Sequence, residues 1–148
     1  MKKRPGSYIV FYEGDKILLL HRPDGYTNEY SYIGGGIEKG ETPDEAVVRE
    51  VKEELCYDLK QGEYDLIGHK NFVFDKKGET WEVDAHMYVA NLGDKLNKFV
   101  LTEKEYDTGK ESKLELVSIK NAKMLNIHWT GLELLEMIEE YMKNFKAT

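Results

Sequence analysis

The sequence predicts an α+β fold, a mixed β-sheet covered by helices, and three observations predict it. Short alternating or β-branched segments recur along the chain, a mid-chain helix carries its own start signal, and apolar residues near the C-terminus repeat at helical spacing. No internal repeat, low-complexity tract or linker divides the 148 residues, so residues 1–148 are expected to form a single domain. A chain of this length buries roughly 70% of its unfolded surface, enough for a substantial core.

In chain order, Ser7–Tyr12 and Lys16–Leu20 read as two strands about the turn Glu13-Gly14-Asp15. A polar loop from His21 to Glu29 follows, then a short strand, Tyr30–Ile33. The run Gly34-Gly35-Gly36 is expected to be irregular backbone. Residues 43–55 read as a helix with Thr42 as N-cap, Pro43 in the first helical position and Glu45 closing a capping box. Asp65–Phe74 and Trp81–Leu92 read as long strands around the turn Asp75–Gly78, and Phe99–Lys113 as a charged loop. Leu114–Ile119 is another short strand, and Trp129–Phe145 an amphipathic helix built on Leu132, Leu135, Ile138 and Met142.

Composition narrows the function classes. Hydrophobic residues make up 41% and charged residues 33%, the balance of a globular chain. The net charge of -7 argues against general nucleic-acid binding, which depends on Lys and Arg displacing counterions. A small phosphate compound can still bind where metal ions supply positive charge. The single cysteine, Cys56, excludes an intramolecular disulfide and fits a reducing cytoplasm. The basic start, Met1-Lys2-Lys3-Arg4-Pro5, is not followed by a signal-peptide core, and the longest aliphatic run, Ile17–Leu20, is far too short to span a membrane. The histidines His21, His69, His86 and His128 have no zinc-site spacing. A monomer or a homodimer is expected.

The chemistry concentrates in Gly35–Tyr57. At 100° per residue from Glu50, Glu53 lies at about 300° and Glu54 at about 40°, so the three carboxylates share one arc roughly 100° wide. Val47, Val48, Val51 and Leu55 form a separate apolar face. Like charges on one helical face destabilise it by roughly 0.2–0.5 kcal/mol per pair. Arg49 can offset this by pairing with Glu53 and Glu45. The remaining carboxylate oxygens are the hard ligands that Mg²⁺ prefers, one or two per ion, with water and phosphate completing the shell. Ala46 falls inside the acidic arc, where a small side chain leaves room for a ligand. The glycines allow backbone to approach a phosphate or offer a carbonyl to a metal. Each feature also has a plain reading: a glycine run serves turns and bulges, and a Glu-rich face is often simply solvated.

Together, however, these residues resemble the Nudix box. Gly35 and Glu41 are separated by five residues, and Glu41 and Arg49 by seven. Arg49-Glu50-Val51-Lys52-Glu53-Glu54-Leu55 follows, within GGGIEKGETPDEAVVREVKEEL. The resemblance, closest in character to mutator-type nucleoside triphosphate pyrophosphohydrolases, implies an α/β/α sandwich around a mixed sheet. It implies Glu50, Glu53 and Glu54 as ligands for Mg²⁺ or Mn²⁺, with Glu53 or Glu50 activating water. It implies a metal-facing carbonyl at Gly36 or Gly35 and substrate contacts from Gly35, Gly36 and Glu38. Arg49 would orient the glutamates, and Glu41 would hold the loop to the helix. Gly109-Lys110-Glu111 resembles the later stretch from which relatives recruit another acid, making Glu111 a further metal-ligand candidate. Three positions depart from the pattern: Cys56 replaces the box glycine, Tyr57 an aliphatic residue and Gly34 a proline. A half-buried structural role is expected for Cys56. Its position would either strain a left-handed turn by roughly 1–2 kcal/mol or end the helix differently.

The implied activity is metal-dependent hydrolysis of a phosphoanhydride bond in a nucleoside diphosphate linked to another moiety, a nucleoside triphosphate or related nucleotide. Tyr26, Tyr30, Tyr32, Phe72, Phe74, Trp81, His86 and Tyr88 are the candidate base contacts. Two alternatives stand beside it. One is a Nudix-like domain that senses nucleotides without turnover, which would not need an intact acid cluster. The other is an RNA-end pyrophosphohydrolase, against which the net charge counts.

Overall fold

The computed structural model describes residues 2–23, 29–102, 111–125, 127 and 132–146. Seven strands among them form one mixed sheet. β1 (Lys2–Glu13) turns into β2 (Lys16–Arg22), followed by β3 (Glu29–Ser31), β4 (Ile33–Gly36) and helix α1 (Pro43–Leu55). The hairpin β5 (Tyr64–Lys76) and β6 (Glu79–Asn91) comes next, then a 3-10 turn at Lys95–Lys98, β7 (Lys113–Ser118), and helices α2 (Ile119–Ala122) and α3 (Glu133–Lys146). The strand order is β3-β2-β1-β6-β5, with β4 added to β1 and β7 to β2.

β1 runs parallel to β6 through eleven register pairs, from Lys2↔Trp81 to Tyr12↔Asn91. Alternation then divides the sheet into two faces. Ile9 and Phe11 of β1 and Tyr88 and Ala90 of β6 pack with Val47, Val51 and Leu55 of α1. Val10 and Tyr12 of β1 and Val83, Ala85, Met87 and Val89 of β6 pack with Leu134, Leu135, Ile138 and Met142 of α3. Fully burying each aliphatic side chain contributes about 1.5–3 kcal/mol. Helices on opposite faces of a mixed sheet make the expected sandwich.

The expected α1 is the observed one, with the same bounds. Thr42 Oγ1 accepts from Glu45 N at 3.1 Å, and Glu45 Oε1 accepts from Thr42 N at 2.9 Å. Glu45 is therefore committed to the cap, not to Arg49. The acceptor of Tyr88 Oη is Asp44 in the first turn, and Ser7 Oγ donates to Pro43 O at 2.8 Å, so the helix start is pinned to the sheet.

Several expectations need correction. The glycine run is not irregular: Ile33–Gly36 is β4, with Gly34, Gly35 and Gly36 opposite Tyr8, Ser7 and Gly6. Composition concealed this, because glycine lowers strand propensity but not the capacity of its backbone to pair. Ala46 is fully buried against the core and opens no space for a ligand. Cys56 is exposed. The short α2 was not anticipated, and the C-terminal helix is described from Glu133 onward.

Candidate functional site

Arg49 is the centre of the candidate site. Its Nε donates to Glu41 Oε2 at 2.8 Å and its Nη2 to Glu41 Oε1 at 2.9 Å, a two-pronged pair. Nη2 also donates to Gly36 O at 2.9 Å. Nη1 donates to Glu50 Oε1 at 3.0 Å and Glu53 Oε2 at 3.2 Å, and Glu38 lies 3.7 Å away. One guanidinium thus gathers β4, the loop after it and the acidic face of α1. Glu54 turns the other way along the helix, where its Oε2 accepts from Gly34 N at 3.0 Å.

The three glycines meet three different requirements. A Cβ at Gly34 would lie 2.1 Å from Ser7 O, and its φ of 139° also disfavours a side chain. A Cβ at Gly35 would lie 2.6 Å from Glu50 Oε1. A Cβ at Gly36 would lie 3.1 Å from Arg4 Nε. Successive glycines therefore admit the β1 backbone, the Glu50 carboxylate and the Arg4 guanidinium.

These contacts separate the carboxylates electrostatically. The hydrogen bonds from Arg49, followed by the one from the Glu38 N–H, hold the Glu41 carboxyl down to about 2. Glu50 moves the other way: burial pushes its pKa up, Arg49 opposes that, and the neighbouring charges of Glu53 and Glu41 add to it. A carboxylate that resists losing its proton is the stronger base once ionised. Glu53 projects into solvent, with 57% of its side chain exposed.

The donor set suits a hard divalent cation. Glu50 Oε1, Glu53 Oε2 and Gly36 O all reach the same guanidinium, so these oxygens already converge on one positive group. Among the described residues, no set of three His, Cys, Asp or Glu side chains is arranged to hold a metal ion unaided. The reason is visible: Arg49 occupies the inward oxygens of Glu50 and Glu53, and Gly34 N that of Glu54. Mg²⁺ needs only one or two carboxylates before water and phosphate complete its shell.

Other sequence candidates scatter. Glu111 is exposed ahead of β7 and forms no hydrogen bond or ion pair with the acid cluster among the described residues. Its neighbours Gly109 and Lys110, and Tyr26, lie outside the described residues. Tyr30, Tyr32 and Tyr88 are buried core residues. Phe72 and Phe74 pack at the edge of the α3-side core. Trp81 lies under Lys2 Nζ, 5.3 Å from the ring, and His86 stacks on His69 at 5.3 Å. Sequence reasoning missed Arg4 and Tyr8. Only the β1–β4 pairing, which sets Gly6 opposite Gly36 and Tyr8 opposite Gly34, could have pointed to them.

A family model for the NUDIX domain matches residues 2–139. The chain belongs to this family. Among curated proteins it is similar to the NAD-capped RNA hydrolase NudC of Pseudomonas aeruginosa, 36% identical over 70 residues, covering 47% of this chain and 24% of that protein. The matched stretch thus spans about a quarter of the length of such relatives. Among solved structures, the MutT protein from Methanosarcina mazei Go1 superposes with a TM-score of 0.65 at 20% identity, covering 98% of this chain and 96% of that one. A C. elegans Ap4A hydrolase complex superposes with a TM-score of 0.63 at 16% identity, covering 100% of each chain. These two likenesses bear on the fold.

Proposed function

We propose that this protein hydrolyses a phosphoanhydride bond in a nucleoside diphosphate linked to another moiety, using a divalent cation, Mg²⁺ or Mn²⁺. The observation carrying this reading is the single guanidinium of Arg49 holding Glu41, Glu50, Glu53 and the Gly36 carbonyl together. Family membership supports it, as do the printed activities of the NudC relative and the Ap4A hydrolase neighbour.

Glu50, Glu53, Glu54 and the Gly36 carbonyl would hold the cation, which when bound neutralises phosphate oxygens and lowers the pKa of water. Glu53 or Glu50 takes the proton of the attacking water. Glu41 keeps Arg49 in place, and Arg49 keeps the Glu50 and Glu53 carboxylates facing β4. Gly35 lets Glu50 approach the β4 backbone, while Glu38 and the backbone of Gly35 and Gly36 line the substrate's path. The products are two phosphate-ended fragments, such as a nucleoside monophosphate and pyrophosphate.

Glu53→Gln should lower turnover by about 10²–10⁴-fold, the usual range for losing a positioned proton acceptor, with an unchanged thermal midpoint. Near-normal turnover would remove Glu53 from the mechanism. The reading as a whole is tested by product release from nucleoside triphosphates, dinucleoside polyphosphates, NAD and nucleotide sugars, with Mg²⁺ and with EDTA. Metal-dependent cleavage of one class supports it, and absence of cleavage across the panel overturns it.

The NudC match also favours a second substrate form, the same pyrophosphate linkage at an RNA end. The net charge of -7 weighs against it. Cleavage of NAD-capped RNA with a steep inverse salt dependence would favour it over the free dinucleotide.

A further inference from the structure

We propose that Arg4 binds the phosphate chain of the substrate on the side of β4 opposite the acid cluster; this rests on the hydrolase reading above. The chain contains three arginines. Arg49 is taken up by Glu41, Glu50 and Glu53, and Arg22 by Glu29 at 3.4 Å and Ser31 at 3.0 Å. Arg4 is exposed and forms no hydrogen bond or ion pair among the described residues. Among the described residues no carboxylate lies within ion-pair distance of it, although Glu82 and Asp84 line the same cleft.

The fold places that guanidinium over a floor made for it. Gly6 and Gly36 face each other in the β1–β4 register, so neither strand raises a side chain at this point. Over Gly36 lies Arg4, with Nε 3.1 Å and Nη2 3.3 Å from where a Cβ would stand. Over Gly6 lies the Tyr8 phenol, its Oη 2.6 Å from the corresponding position. Burial pushes the Tyr8 pKa up to about 12; Arg4 opposes that rise, while Glu50 and Glu54 reinforce it. Tyr8 is therefore a neutral hydroxyl within electrostatic reach of both Arg4 and the acid cluster. On the opposite side of β4, Gly35 faces Glu50.

A ligand whose phosphates engage the acid cluster through a cation passes the edge of β4 and meets Arg4. Carboxylates can hold the metal-bound oxygens only indirectly, and the remaining phosphate oxygens need a donor. The planar fork of a guanidinium fits two oxygens of one phosphate, which lysine does not reproduce. Arg4 touches substrate in this scheme and takes no part in proton transfer.

The test compares wild type, Arg4→Gln and Arg4→Lys in two measurements: Mg²⁺-dependent hydrolysis of ATP, diadenosine tetraphosphate and NAD, and calorimetric binding of ADP and of adenosine. Arg4→Gln should raise KM and weaken ADP binding by about tenfold or more, the effect of one lost charge-assisted contact. Its kcat should stay within a few-fold, adenosine binding should not change, and Arg4→Lys should recover only part of the loss. Equal KM and equal ADP affinity in Arg4→Gln and wild type would overturn the proposal, as would equal weakening of ADP and adenosine. Loss of ADP binding in Arg4→Gln with no hydrolysis by wild type would retain the phosphate contact and remove the hydrolase reading. Absence of both hydrolysis and ADP binding in wild type would remove both.

Discussion

Two single residues have effects set by backbone conformation and charge. Cys56 ends α1 at φ 53° and ψ 35°, with its N–H donating to Lys52 O at 3.1 Å. The left-handed exit is thus retained despite the missing glycine, and a Cβ is tolerated there at an energetic penalty. Cys56→Gly should stabilise the protein by about 1 kcal/mol, less than the full penalty because glycine also loosens the unfolded chain. Urea unfolding of the two proteins checks this, and equal midpoints would mean that the turn is unstrained. Glu41 sets a pH dependence. Its folded pKa, about 2, lies below the ordinary carboxylate value of 4.5. The stability it adds is therefore present above the unfolded pKa and is lost as pH falls through about 2. Glu50 contributes with the opposite sign, because its raised pKa favours the folded state most when it is protonated. The stability difference between wild type and Glu41→Gln should accordingly shrink from pH 5 towards pH 2, followed by denaturant midpoints across that range. A constant gap would show that the Arg49 pair does not discriminate charge states.

At the scale of elements, β4 and the C-terminal half of α1 are the parts that build the candidate site. Gly35→Ala would drive a methyl against Glu50 Oε1 without touching backbone, so the fold should survive while the carboxylate moves. Displacements of about 1 Å can reduce rate by roughly 10², and metal-dependent turnover should fall by at least tenfold. Gly34→Ala instead drives its methyl to 2.1 Å from the backbone oxygen of Ser7, which cannot swing aside, and should destabilise β4 itself. Circular dichroism melts alongside turnover separate the two; a Gly35→Ala protein with full activity would detach Glu50 from the chemistry. The α1 cap is independent of both. Thr42→Ala removes the acceptor of Glu45 N and should cost about 1 kcal/mol.

Over the whole molecule, the proposed cation site, an acid cluster held by one arginine, would couple metal binding to stability. On the proposed reading a cation would bind the folded arrangement of Glu50, Glu53 and Glu54 far better than an unfolded chain, adding about 2.7 kcal/mol at a hundred times its dissociation constant. Mg²⁺ should therefore raise the melting temperature by several degrees, EDTA should reverse it, and Glu50→Gln should blunt it, all read by scanning calorimetry. An identical melt with Mg²⁺ and EDTA would argue that metal enters only with substrate. Among the described residues no helix is long and apolar enough to cross a membrane.

The sequence by itself determined what depends on near neighbours. Helix α1 is written locally by its cap, its first-turn proline and the spacing of Val47, Val51 and Leu55. The shared face of Glu50, Glu53 and Glu54 follows from helical geometry alone, and the box spacing pointed to the family. Tertiary structure decided what depends on pairing between distant segments. Only the β1–β4 register makes a strand of three glycines and sets Gly6 against Gly36. Only that register brings Arg4 and Tyr8 beside residues some thirty positions away, and only the fold turns Arg49 toward Glu41 and the Gly36 carbonyl. Local patterns record which face a side chain takes on its own element. Which strand lies beside it is settled by long-range burial and backbone hydrogen bonding, and no local spacing encodes that choice.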